Sequence, residues 1–147
     1  MKKLLLILIV VIAAYGFVQK APKFFSTGKF FSSELSTSDK AIEKAFENNQ
    51  SNIQVGGSGK VIKIFPDDTQ GSRHQKFIIE LNSGQTLLIA HNIDIAPRII
   101  NLNVGDHINF YGEYEWNSKG GVIHWTHHDP SDRHEDGWLN HGGKIYQ

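Results

Sequence analysis

Apolar positions open the chain. Lys2 and Lys3 precede an unbroken apolar run from Leu4 to Ala14, and the apolar character continues to Val18. A basic start before an apolar stretch of about 7–15 residues is the secretory-signal pattern. A membrane-crossing helix needs about 20 apolar residues, so residues 1–18 are expected to be a signal peptide. An uncleaved anchor with its lysines in the cytoplasm is the alternative. Small residues stand at Ala14 and Gly16, but no Ala-x-Ala follows the run. Either way the rest of the chain is expected outside the cytoplasm, secreted, periplasmic or membrane-tethered.

Residues 19–50 read as a linker with one short helix. From Lys20 to Ser38 no period is visible. Ser38-Asp39 then marks a helix start, with Ala41, Ile42, Ala45 and Phe46 on one face and Glu43, Lys44 and Glu47 on the other. Asn48-Asn49 ends it, and Gly56, Gly57 and Gly59 precede a change to strand character.

From residue 51 to residue 147 the alternation has a period of two. Strands are expected at Val61–Phe65, His74–Leu81, Thr86–Ile93, His107–Asn117 and Val122–Asp129, with turns at Asn82-Ser83-Gly84 and Val104-Gly105-Asp106. The third is apolar enough to be buried on both faces. Asp94–Asn101 is a short helix or an irregular connector. Three strands, a connector and a two-stranded hairpin make the element order of an OB-like five-stranded Greek-key barrel. That order alone assigns no function.

Composition narrows the chemistry. With histidine neutral the formal net charge is zero, and from Ser51 onward 8 basic residues face 11 acidic ones. A domain that grips nucleic acid mainly through phosphates carries a basic excess, so only a local basic groove remains open. There is no cysteine, which excludes disulfide-linked partners, thiolate nucleophiles and cysteine-ligated metals. Histidine is the outlier: all eight lie between His74 and His141.

If Lys119-Gly120 forms a two-residue hairpin loop, Glu115 sits opposite His124, Glu113 opposite Thr126 and Tyr111 opposite His128. All six then share one polar face, and Gly112, Tyr114, Trp116, Ile123, Trp125 and His127 share the other. A carboxylate facing a histidine is a general-base pair, half a metal site, or simply an ion pair. His124 and His128 lie about 13 Å apart along a strand at roughly 3.3 Å per residue, too far to share an ion. The strand end offers a better chelating set, His127, His128 and Asp129 with His134. Imidazole with carboxylate suits a divalent transition metal such as zinc, copper, nickel or iron.

Two further polar groups stand at Arg73-His74-Gln75 and at His91-Asn92 with Asp94. Arg73, His74 and His91 with Glu115 and His124 would suit phosphodiester hydrolysis, a cation stabilising charge while His or Glu moves a proton. The plain alternative makes His91 a satisfied core histidine and Asn92 and Asp94 caps. Tyr114, Trp116 and Trp125 read as core. Tyr111 and Trp138 are the candidates for an exposed stacking surface.

Taken together, Gly71-Ser72-Arg73-His74-Gln75, Ile89-Ala90-His91-Asn92-Ile93, Gly112-Glu113-Tyr114-Glu115-Trp116-Asn117 and His124-Trp125-Thr126-His127-His128-Asp129-Pro130 resemble the bacterial family catalogued as domain of unknown function 3465, from about Val55 onward. The resemblance implies a short bacterial protein with an N-terminal leader. It supplies no catalytic residues. Three readings stay open: a ligand-binding barrel for nucleic acid, oligosaccharide or an envelope component; a metal-assisted or His/Glu-based hydrolase; and a periplasmic metal-binding protein.

Overall fold

The computed structural model describes residues 38–147. The expected leader and most of the linker lie outside the described residues. Among the described residues no helix is long and apolar enough to cross a membrane.

One helix, α1 (residues 38–47), starts and ends where Ser38-Asp39 and Asn48-Asn49 placed it. Its Ile42 and Ala45 are fully buried and join the barrel core. Seven strands follow: β1 (Ile53–Ile64), β2 (His74–Leu81), β3 (Thr86–Asn92), β4 (His107–Glu115), β5 (Val122–His124), β6 (Trp138–His141) and β7 (Lys144–Tyr146). The first five form the expected closed barrel. Its strand order is β1-β2-β3-β5-β4, and β4 returns to pair with β1. All these pairings are antiparallel except β3–β5, which is parallel.

β1 closes the ring because it is long. Its first part, Ile53 to Lys60, pairs with β4, and its second, Gly59 to Ile64, pairs with β2 across a bulge near Lys63. Gly56, Gly57 and Gly59 therefore lie inside the strand, not before it. The reason is space: a Cβ on Gly57 would meet the Phe110 ring at 2.7 Å, and one on Gly59 the Glu80 carbonyl oxygen at 2.9 Å. Glycine lets the sheet coil tightly there.

The inward positions fill one core. Val61, Phe77, Ile79, Leu87, Ile89, Ile108, Phe110, Tyr114 and Ile123 are essentially inaccessible to water. Each fully buried aliphatic side chain contributes about 1.5–3 kcal/mol. β3 alternates instead of burying both faces: Leu87, Ile89 and His91 point inward, while Thr86, Leu88, Ala90 and Asn92 are half-buried. Its outer side mixes Leu88 and Ala90 with Thr86 and Asn92.

Two inward residues are polar, and both hold the connector that covers one end of the barrel. Gln75 and His91 are cross-strand neighbours. Gln75 donates to the Ile99 carbonyl at 3.0 Å and accepts from the Ile99 N–H at 2.9 Å. His91 Nε2 stands 3.1 Å from the Pro97 carbonyl, and its Nδ1 stands 2.8 Å from Thr126 Oγ1. A carbonyl only accepts, so Nε2 carries the proton and Nδ1 accepts from the threonine hydroxyl. The connector is irregular, not helical.

The hairpin between β4 and β5 departs from the two-residue loop. Glu113 pairs with His124, Tyr114 with Ile123 and Glu115 with Val122, a register two residues from the expected one. Asn117 causes the longer loop: its Oδ1 accepts from the backbone N–H groups of Lys119 and Gly121. β5 also stops at His124, five residues early, because Trp125 takes a left-handed backbone (φ 51°). β6 and β7 were not expected. They extend the sheet from β4, with Tyr111 opposite Trp138.

Candidate functional site

The outer face of β4 carries Tyr111, Glu113 and Glu115 at successive alternate positions. A two-residue register shift preserves the face, so His124 still lies beside both glutamates. His124 Nε2 is 3.2 Å from Glu113 Oε1 and 3.8 Å from Glu115 Oε1. That nitrogen is nevertheless buried without a hydrogen bond. The closer oxygen lies within contact distance but is too poorly aligned to form a hydrogen bond with the ring nitrogen. Glu113, Glu115 and His124 place one donor atom each within 4.8 Å of one another. Among the described residues they are the group of three or more histidine and acidic side chains so arranged.

Gly112 makes this approach possible. A Cβ there would meet the His124 carbonyl oxygen at 2.5 Å and both Ile123 Cγ2 and Thr126 Cγ2 at 2.9 Å.

A loop from Trp125 to Gly137 then lies against the β4 wall. Asp129 shapes it, accepting from the N–H groups of Ser131, Arg133 and His134 and from the Ser131 hydroxyl. These bonds hold its carboxyl far below the usual carboxylate range. The folded loop brings His134 Nε2 to 2.7 Å from Glu113 Oε2 and stacks the imidazole on Trp125, 4.1 Å between centroids and 9° between planes. Glu135 Oε1 accepts the Tyr111 hydroxyl at 2.5 Å, which raises the phenol's pKa. Asp136 takes His128 Nδ1 at 2.7 Å. Burial works against charge on His134, but the bonds to Glu113 and the Glu135 carbonyl and the nearby carboxylates outweigh it, and its pKa is raised.

The expected metal set, His127, His128, Asp129 and His134, is therefore dispersed. His127 is buried with Nδ1 on the His128 carbonyl at 2.7 Å. His128 is exposed on Asp136, and Asp129 is consumed by its own loop. Only His134 reaches the glutamates. The strand stopped before the set could form its expected end, and the loop gave each member a different partner.

The expected catalytic set divides as well. His91 is a core residue, and burial lowers its pKa to about 4. Arg73 is exposed and ion-paired through Nε to Asp94 Oδ1 at 2.7 Å. Glu115 and His124 belong to the glutamate–histidine group. His74 meets His124 in a small pocket of about 200 Å³ that also takes in Ala90, Asn92, Ile95, Trp125 and His127. That pocket opens because the early end of β5 leaves Ala90–Asn92 of β3 paired with β2 on one edge alone.

Of the aromatic residues, Tyr114 is core. Trp116 is 37% exposed, and its indole stacks on Phe46 of α1 while donating to the Phe46 carbonyl. Trp125 is half-buried among His124, His127 and His134. Tyr111 and Trp138 stack on each other at 6.3 Å instead of offering two open faces. Glu113, expected on the same face but opposite Thr126, stands instead directly opposite His124 and joins the site. Its signal was there, two alternate glutamates on one strand face.

Fold and site define a small, mainly β barrel domain with an ionisable cluster on its outer wall. The chain belongs to the family described as "Protein of unknown function (DUF3465)", which matches residues 26–147. No curated protein matches the chain.

Proposed function

We propose that the barrel binds a divalent transition-metal ion through Glu113, Glu115 and His124. The observation that carries this reading is the buried, unbonded His124 Nε2 with two carboxylates within 3.8 Å. A buried nitrogen without a partner is costly, and a metal ion satisfies it while neutralising the paired glutamates. Mixed imidazole and carboxylate donors suit zinc, manganese, iron or nickel. His134 holds the far oxygen of Glu113, the arrangement by which an outer hydrogen bond orients a ligating carboxylate.

The metal reading takes precedence over a metal-free His/Glu hydrolase, because His91 serves the core and Arg73 is held by Asp94. The strand order and the parallel β3–β5 pair support an OB-like description of the barrel. The apolar leader supports a place outside the cytoplasm, where the ion would be met during or after export.

The test is calorimetric titration of the metal-stripped full chain with zinc, manganese and nickel. One tight equivalent, lost in Glu115→Gln and in His124→Ala but kept in His128→Ala, is expected. Equal binding by all three variants, or none by the parent protein, would overturn the reading.

A further inference from the structure

The outer face of β2 and β3 carries a second feature, separate from the glutamate–histidine group. A cleft of about 460 Å³ runs from Lys63 and Phe65 at the end of β1, over Ile78 and Leu88, to Asn117 and Lys119 in the β4–β5 loop. Among the described residues three ammonium groups line it, Lys63, Lys76 and Lys119, and no carboxylate does. They come from three distant parts of a sequence that is net acidic from Ser51 onward. Their convergence is therefore local and not a by-product of overall charge.

The rim is not all free charge. Lys76 is bonded to Asp68 at 2.9 Å. Lys63 lies 4.8 Å over the Phe65 ring and, like Lys119, is exposed without a carboxylate partner among the described residues. Between these cations the floor is apolar. Ile78 and Leu88 are half-buried at outward strand positions where barrel packing asks for no hydrophobic group. Further along the same strands, the outward positions Ala90 and Asn92 line the separate pocket of His74. From Thr86 to Asn92 this outer row spans about 20 Å at roughly 3.3 Å per residue, long enough to follow a linear polymer.

We propose that this cleft binds single-stranded nucleic acid, with phosphates on Lys63 and Lys119 and bases against Phe65, Ile78 and Leu88. Charge complementarity selects a polyanion. The apolar floor selects planar, weakly polar units, since Thr86 and Asn117 are the only uncharged polar side chains lining the cleft. A cationic track beside surfaces on which bases lie is the general solution for single strands. The proposal does not depend on metal binding.

The test uses the full chain and a fluorescein-labelled oligothymidylate of about 12 nucleotides, read by anisotropy. Binding is expected at low salt, weakening with a log–log slope of about −1.4, the value for two phosphate contacts on a single strand. Lys63→Glu, Lys119→Glu and Phe65→Leu should each weaken it about tenfold or more. Lys63→Ala and Lys119→Ala serve as gentler versions, with circular dichroism verifying the fold. Lys144→Glu on β7, and addition of a chelator, should leave it unchanged. No binding at low salt, or binding indifferent to the cleft variants, would overturn the proposal. So would equal competition by polyphosphate or an acidic polysaccharide, which would mark the cleft as a reader of charge alone.

Discussion

His134 and Glu113, 21 residues apart, are joined at 2.7 Å, and the other ring nitrogen of His134 lies 2.7 Å from the Glu135 carbonyl. Both ring nitrogens thus face acceptors, and the carboxylate is held at one oxygen while the other turns toward His124. If Glu113 ligates a metal, His134→Phe should keep the stack on Trp125, release the carboxylate, and weaken metal affinity by about 10–100-fold without changing stoichiometry. Titration calorimetry checks this. Unchanged affinity would assign His134 to the loop alone.

Gly112 lies under the same group. Alanine there must displace the His124 backbone, whose carbonyl oxygen would stand 2.5 Å from the new Cβ. Gly112→Ala should destabilise the protein by about 1–3 kcal/mol, as overpacking does, and impair metal binding at the same time. Urea unfolding and calorimetry on one sample test both halves.

Gln75 is 1% exposed, and its amide satisfies both backbone groups of Ile99. Gln75→Leu fills the space but leaves a buried N–H and a buried C=O unpaired, at about 1–3 kcal/mol for each. The expected result is a clear loss of stability, together with faster hydrogen exchange across residues 93–101. Stability equal to the parent would show that the connector is held by its apolar contacts.

The buried His91 ring makes stability depend on pH. Its ordinary pKa of 6.5 falls to about 4, chiefly through burial. The unfolded chain therefore takes up a proton between those values and the folded one does not. Stability is fully present above pH 6.5, falls as the pH drops, and levels off for this group below about 4. The total is about 3 kcal/mol at 1.36 kcal/mol per pKa unit. His91→Gln should lower stability at pH 7 yet flatten its slope between pH 4 and pH 6.5, measured by denaturant unfolding at several pH values.

The barrel was legible because each inward row repeats every second residue with little ambiguity. Phe77, Ile79 and Leu81 on β2 and Ile108, Phe110 and Tyr114 on β4 allow one facing only. What escaped was governed by backbone conformation. Trp125 entering the left-handed region and Asn117 nucleating a longer loop leave no mark on the period of two. β6 and β7 are short and flanked by glycine, too short for an alternation to stand out. The site was half legible for the same reason. Glu115 and His124 share a face in either register, whereas His134 arrives through the loop closed by Asp129, a fold no spacing rule encodes.

The β6–β7 extension changes how the molecule meets its own copies. A closed ring of strands presents no free row of amides and carbonyls, but a sheet that continues past the ring ends in one. Here that row belongs to β7, three residues long, with Lys144 at its start and Ile145 53% exposed. So short a lip offers a neighbour few ladder bonds, and the charged Lys144 blunts it further. An edge this short, with a lysine in it, is a weak template for pairing between copies.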